Sequence, residues 1–360
     1  MMSDSNTAIK VLLASDQGQF DEWVRVWEAT GTSDPFSHPA YVREFENSAS
    51  EAACISWRNG DIILPLILRQ LSAELWMPEA SELVDAETPY GFGGPLAKPG
   101  IAEGDRAAFL HDLREWASSA HVVSLVGRLR VVDNEFEVPA QTIRQNIVRT
   151  TEMPLDELWY DYEHKVRKNV RRAEKHEVQI LVDETGEYLD DFKAIYESTL
   201  DRRSAVDRYR FGNDFYNNLI AQLPGTLLFH ARLDGKIVSS EIVLSSDRWA
   251  YSFLGGTLPD AFASRANDFL KHKIITWCHE TGKQGFVLGG GYAPEDGIFN
   301  YKKSFAPTGL VPFQLWTENF NEKHYDSLLD ERGKWERANA SGWSPQAGYF
   351  PAYRAPSVVE

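Results

Sequence analysis

The chain has 360 residues, 43% of them hydrophobic and 25% charged, proportions ordinary for folded globular proteins, which exclude a hormone-like peptide and global disorder. Its formal charge of −16, from 53 acidic and 37 basic residues, repels phosphate backbones and anionic membranes, so any nucleic-acid contact must be local. The longest apolar run, 62–68, contains Pro65 and falls far short of a membrane span, and the first residues lack the charged start of a signal peptide. A cytoplasmic location is therefore expected. Cys54 and Cys278 are distant and sit in apolar settings, which fits reduced packing residues; no Cys/His cluster suggests zinc, and no metal is expected.

Phe20, Trp23, Val24 and Trp27 recur at helical spacing, predicting a helix over 20–29 that Asp34-Pro35 and His38-Pro39 bring to an end. A short helix over 40–46 follows. The pattern then turns to extended runs, 54–57 and 62–68, joined by Arg58-Asn59-Gly60-Asp61, whose Asn-Gly predicts a tight antiparallel hairpin. A glycine-rich loop, Tyr90-Gly91-Phe92-Gly93-Gly94-Pro95, precedes a helix over 105–118 and a strand over 122–126.

The second half repeats this order: helices over 158–175, 189–200 and 214–223, strands over 227–233, 237–244 and 249–254, a helix over 266–279 and a strand over 286–288. Aligning Arg58-Asn59-Gly60-Asp61 with Leu233-Asp234-Gly235-Lys236 superposes the two hairpins, and each continues through strand, glycine loop, helix and strand. Two copies of one α+β fold are inferred, with domains 1–150 and 151–318 and a tail, 319–360, expected to pack across them. Beyond Gln314 no clear core period is visible.

Two stretches are chemically unusual. On a helical wheel Lys165, Arg167, Lys168, Arg171, Arg172 and Lys175 share about 160° of arc, opposite Tyr162, Val166, Val170 and Ala173. This face reads either as a solvated helix surface suited to the helix C-terminus or as a strip that contacts phosphate. The second stretch runs from Gly289-Gly290-Gly291 to Tyr301-Lys302-Lys303-Ser304-Phe305. Its glycines suit either a plain turn or close approach to a ligand, and a lysine facing a cleft stabilises developing negative charge. Walker, dinucleotide and Gly-x-Ser-x-Gly fingerprints are absent, and the histidines are scattered, so ATP hydrolysis, NAD redox chemistry and serine hydrolysis lose ground.

These features, with Gly255-Gly256, Ala266-Asn267-Asp268-Phe269-Leu270, the 85–95 loop and Tyr349-Phe350-Pro351-Ala352-Tyr353-Arg354, resemble the Fem-type transferases, tandem relatives of the GNAT acyltransferase fold. The resemblance covers nearly the whole chain. It implies two GNAT-like domains and an N-acyltransferase that moves an aminoacyl group from aminoacyl-tRNA to an amine of a cell-wall (peptidoglycan) precursor, a glycan or a small metabolite. No tightly bound cofactor is implied, nor membrane insertion or DNA binding. By the same resemblance Lys302 takes the place of an active-site lysine, with Tyr301 beside it in the acceptor channel. Asp85 and Asp268 are candidate bases, and Arg203, Tyr209, Tyr251, Tyr90, Gly289, Gly290 and Gly291 candidate substrate contacts. The cations of the 165–175 strip become donor phosphate ligands. Acyl-CoA is the alternative donor, and a catalytically silent glycan- or peptide-binding module is the reading from another class.

Overall fold

The computed structural model describes residues 8–203, 209–291, 293, 295–339 and 342–357. In chain order the first elements are β1 (Ile9–Leu13), α1 (Gln17–Glu28), α2 (Pro39–Val42), β2 (Ser50–Trp57), β3 (Ile62–Gln70), β4 (Val84–Glu87), β5 (Leu96–Ala97), α3 (Glu103–Ser119) and β6 (Val122–Arg128). They continue with β7 (Ala140–Thr150), α4 (Leu155–Asp161), α5 (His164–Lys175), β8 (Gln179–Asp183), α6 (Leu189–Arg202) and α7 (Asn213–Gln222). The last are β9 (Thr226–Leu233), β10 (Lys236–Ser245), β11 (Trp249–Thr257), α8 (Ala266–Glu280), β12 (Gly285–Gly289), α9 (Gly297–Lys303), β13 (Leu310–Asn319) and α10 (Glu322–Ala338).

The described residues fall into two compact units. Unit 1 takes those up to 31, of 36–143 and from 313 onward; unit 2 takes those of 32–35 and 144–312. The division lies a few residues ahead of the boundary read near 150, and the segment after 318 groups with unit 1.

In unit 1 the strand order is β1-β2-β3-β4-β6-β13, with β5 added on β3. All these pairs are antiparallel except β4 with β6, which α3 connects as a crossover. Unit 2 uses the same plan: β8-β9-β10-β11-β12-β7, antiparallel except for the parallel β11 and β12 joined through α8. This is the α+β repeat expected from the two hairpins. The first hairpin turn places Arg58, Asn59 and Gly60 at positive φ, and a side chain at Gly60 would stand 2.5 Å from Val26 Cγ1.

Each unit buries its own core. Trp57, Leu64, Phe109, Leu125 and Trp316 pack in unit 1; Phe229, Val243, Phe269, Ile274 and Phe286 pack in unit 2. In unit 2, α8 lies on β9 and β10 with α5 against it, and α6 lies on β10 and β11. Both cysteines are buried and unbridged.

Three expectations change. The single helix over 158–175 is two, because Tyr162 and Glu163 take extended backbone angles. The break lets the Tyr162 ring enter the core, while Arg167 donates to the carbonyls of Tyr160 and Tyr162. The helix over 40–46 is one short α-turn followed by a 3₁₀ turn, Arg43–Phe45. Beyond 314 there is a regular helix, α10, in which only Leu328 and Glu336 are buried, too few to leave a hydrophobic period.

Candidate active site

The parallel pairing of β11 and β12 ends at Tyr251–Val287, and the chain beyond each strand builds a polar cluster. A bulge in the β10–β11 ladder, between Val243/Ser252 and Ile242/Leu254, lies just beyond this point on β11. Beyond β12, Gly289 turns at φ +77°; a Cβ there would lie 3.3 Å from Lys302 Nζ. Asp296 caps α9 by accepting from Phe299 N at 2.7 Å, and this short helix presents Tyr301 and Lys302.

Lys302 donates to the Gly290 carbonyl at 2.8 Å and makes no ion pair among the described residues. Burial first, then the positive charge of Lys271, lowers its pKa to about 8, with Glu241 and Asp296 opposing and Arg203 adding to the fall. Tyr301 hydroxyl accepts from Asn267 Nδ2 at 2.9 Å, and burial, reinforced by Asp268 and Glu241, keeps the phenol protonated far above its usual range. Asp268, in the first turn of α8, accepts from Asn169 Nδ2 at 3.0 Å. Burial raises its pKa, while Asn169, Arg265 and Lys165 pull it down.

The remaining expected residues are placed as follows. Gly291 carbonyl accepts from Arg144 Nη1 at 3.3 Å. Arg203 is exposed at the end of α6, and Tyr209 is half-buried with its carbonyl accepting from Tyr196 hydroxyl at 3.2 Å. Tyr251 is buried on β11. Two others lie in unit 1. Tyr90 is exposed and its carbonyl accepts from Tyr41 hydroxyl at 2.7 Å. Asp85, read from the sequence as a base, is fully buried, with one oxygen 2.7 Å from Arg69 Nε and the other 2.5 Å from Arg354 Nε and 3.2 Å from Tyr353 hydroxyl. With both oxygens held by guanidinium groups and no solvent exposure, it is an anchor for the C-terminal segment, and the role of base is withdrawn.

The α5 cations divide. Arg167 is consumed by backbone carbonyls, Lys165 pairs with Glu163 at 3.1 Å, and Arg171 lies 5.5 Å from the centre of the Trp159 ring. Lys168, Arg172 and Lys175 are exposed and have no ion-pair partner among the described residues. Val166, Val170 and Ala173 hold the opposite face in the core.

Sequence reasoning missed Glu241, Ser252 and Lys271. Lys271 Nζ lies 2.6 and 2.5 Å from the two Glu241 oxygens and 3.1 Å from Ser252 Oγ; Ser252 donates to Glu241 at 2.6 Å. The signal was available: a lysine between Leu270 and Ile274 on the apolar face of a helix, and a glutamate within a strand of otherwise core-forming residues.

Residues 161–303 match the family model described as an Acetyltransferase (GNAT) domain. The structure of FemX has the same fold, with a TM-score of 0.64 at 13% identity over 86% of this chain and 98% of that one. Residues 161–303 form a GNAT acetyltransferase domain, and the protein is an acyltransferase with the FemX fold. The acyltransferase also resembles the C-terminal domain of a putative lysylphosphatidylglycerol synthetase from Agrobacterium fabrum, with a TM-score of 0.55, 13% identity, and 83% of this chain and 91% of that one covered. A conserved protein of unknown function from Bacteroides thetaiotaomicron is similar at a TM-score of 0.51, 11% identity, and coverage of 86% and 99%. No curated protein matches this acyltransferase in sequence. Among its described residues no helix is long and apolar enough to cross a membrane.

Proposed function

We propose that unit 2 transfers an aminoacyl group from aminoacyl-tRNA directly to an amine of a cell-wall precursor, a glycan or a small metabolite, in the cytoplasm. The observation that carries this reading is Lys302: a half-buried ammonium held by one carbonyl, with no ion-pair partner among the described residues. Attack of a neutral amine on the ester carbonyl forms the new C–N bond and places negative charge on the carbonyl oxygen. The Lys302 ammonium stabilises that oxyanion, the ester C–O bond breaks, and the ribose hydroxyl leaves with a proton. Asp268, a carboxylate whose proton affinity burial raises, is the candidate acceptor of the amine proton. Tyr301, Tyr251, Tyr209, Arg203 and the 289–291 turn are candidate contacts to the substrates.

The donor assignment draws on the α5 cations Lys168, Arg172 and Lys175, which have no ion-pair partner among the described residues and make a local attractive field in an acidic chain, and on the fold shared with FemX. The name of the Agrobacterium relative, a lysylphosphatidylglycerol synthetase, points to an aminoacyl product as well. A second reading, transfer from acyl-CoA, is favoured by the match to an acetyltransferase domain. Parallel binding titrations with mixed aminoacyl-tRNA and with acetyl-CoA, at one moderate salt concentration, separate the two. Saturable binding that requires charging of the tRNA is the expected result. Saturable binding of acetyl-CoA alone moves the donor to acyl-CoA, and binding of neither leaves a silent module.

A further inference from the structure

Arg149, on β7 in unit 2, is a buried charge that the chemistry described so far does not use; its side chain is only 3% exposed. It pairs with Asp161, the last residue of α4, and its Nε has no hydrogen-bond partner among the described residues, so the fold bears the cost of an incompletely satisfied guanidinium. The nitrogen that meets Asp161, Nη1, also donates to the Phe305 carbonyl at 3.3 Å. That carbonyl lies just past α9, the helix that carries Lys302. At seven residues α9 is too short to be stable alone, so what holds its ends decides where it sits. Asp296 caps the N-terminal end. At the other end the chain closes its own last turn, with Phe305 N on the Lys302 carbonyl at 3.1 Å and Ala306 N on that of Lys303 at 3.0 Å. The next two carbonyls are met from outside: Ser304 accepts from Glu163 N at 2.9 Å and Phe305 from Arg149. The buried Phe305 ring has its centre 5.6 Å from that of Tyr162 and 5.3 Å from that of Tyr301. Arg149 also stands opposite Phe286 in the β7–β12 ladder, and β12 leads to Gly290, whose carbonyl holds Lys302.

We infer that Arg149 is a positioning residue for Lys302: with the Glu163 amide it clamps the carbonyls that follow α9, fixes that end of the helix against β7 and β12, and so keeps Lys302 Nζ on the Gly290 carbonyl. The inference rests on the proposed role of Lys302. The break between α4 and α5 acquires a purpose by the same argument. Were 158–175 one continuous helix, the Glu163 amide would be spent inside it and could not reach the Ser304 carbonyl. A cation at a helix C-terminus also meets the negative end of the helix dipole, which favours the clamped arrangement.

The test needs no substrate. The full chain is compared with its Arg149→Met variant, which removes the buried charge and leaves Asp161, 37% exposed, in reach of water. Hydrogen exchange of a peptide covering 297–305 should quicken by about tenfold or more, while β9 and β10 keep the parental rate. Trace acetylation with acetic anhydride from about pH 7 to 11, with Lys302 read separately from Lys303 by fragment ions, follows the lysine itself. Its midpoint, expected at about 8 in the parent, should rise by about one unit or more toward the ordinary lysine value once Lys302 is freed into water. A residue that merely anchors α4 would quicken exchange over 155–161 and leave both readings at α9 unmoved. In the folded variant, exchange of 297–305 within about twofold of the parent, or a Lys302 midpoint within about 0.3, overturns the inference. Should Arg149→Met fail to fold, judged by circular dichroism, Glu163→Pro decides by the same two readings. It deletes the other clamping N–H without touching a buried charge, and the backbone already suits proline, with φ −57° at Glu163 and ψ 148° at Tyr162. Neither reading depends on turnover, so an unimpaired Lys302→Ala enzyme would remove the proposed function while leaving the clamp in place.

Discussion

The two parallel strand pairs, β4 with β6 in unit 1 and β11 with β12 in unit 2, share one topology and differ in what meets the polar groups at their ends. In unit 1 the register shift beside Asp85 opens a buried position that is fully satisfied. Arg69 and Arg354 hold the carboxylate, Tyr353 hydroxyl bonds both Asp85 and Ser124, and Arg354 continues to Glu74 at 2.5 Å. Unit 2 also carries a satisfied pair, Glu241 with Lys271, but it leaves Lys302 on a single carbonyl. A saturated charge network holds chain segments together; an ammonium with spare capacity can act on something that arrives.

Breaking the saturated end is the largest expected effect. Asp85→Asn leaves Arg69 and Arg354 without their shared carboxylate, and about 3 kcal/mol of stability should be lost, measured as a lower urea midpoint at unchanged slope. Turnover per folded molecule should hold. A stable Asp85→Asn enzyme with lost turnover would invert the comparison.

At the other end, Lys302→Ala should lower turnover by about 10²-fold or more while the unfolding midpoint stays near that of the parent. A parental rate would deny Lys302 its role. The pH dependence sharpens the same point. Lys302 is an ammonium below about 8 and a neutral amine above, so turnover should decline as pH rises through that value, roughly tenfold per unit. A rate that stays flat to pH 10 or so, near the ordinary lysine value, would show that the charge is not used.

The smallest effect is expected at α5. Reversing Lys168 and Arg172 to Glu should weaken a polyanionic donor and flatten its salt dependence by about one to two log units per log unit of salt, with an uncharged acceptor unaffected. Equal weakening of both substrates would return the strip to a solvated helix face. Stability should change little, because neither cation has an ion-pair partner among the described residues.

Much of this architecture was legible where the signal is local. The Asn59-Gly60 turn, the two hairpins in matching order and the alternation of strands with amphipathic helices gave the repeated α+β plan. Val166, Val170 and Ala173 marked the buried side of the cationic helix, and all three are in the core. The run from Gly289 to Lys302 pointed to a place where glycine backbone and a lysine meet, as they do at the Gly290 carbonyl. Less legible were β7 and β8, whose pairing partners β12 and β9 are distant in sequence, and α10, which touches the core through few residues. The break at Tyr162 was hidden because helical spacing continues through it; the ring's burial overrides local helix preference.

The fold class is written in local sequence: turn chemistry, residue periodicity and the order of elements are encoded within short windows, and two windows repeat. Which charges are spent and which are available depends on the folded arrangement. Asp85 and Lys302 look alike in sequence, each a charged residue beside a glycine-bearing loop. Asp85 is neutralised by Arg354, far along the chain, and Lys302 stands near a buried pair assembled from β10 and α8. Electrostatic partners are set by distance in space and by exclusion of water, and neither is written in the spacing of residues along the chain.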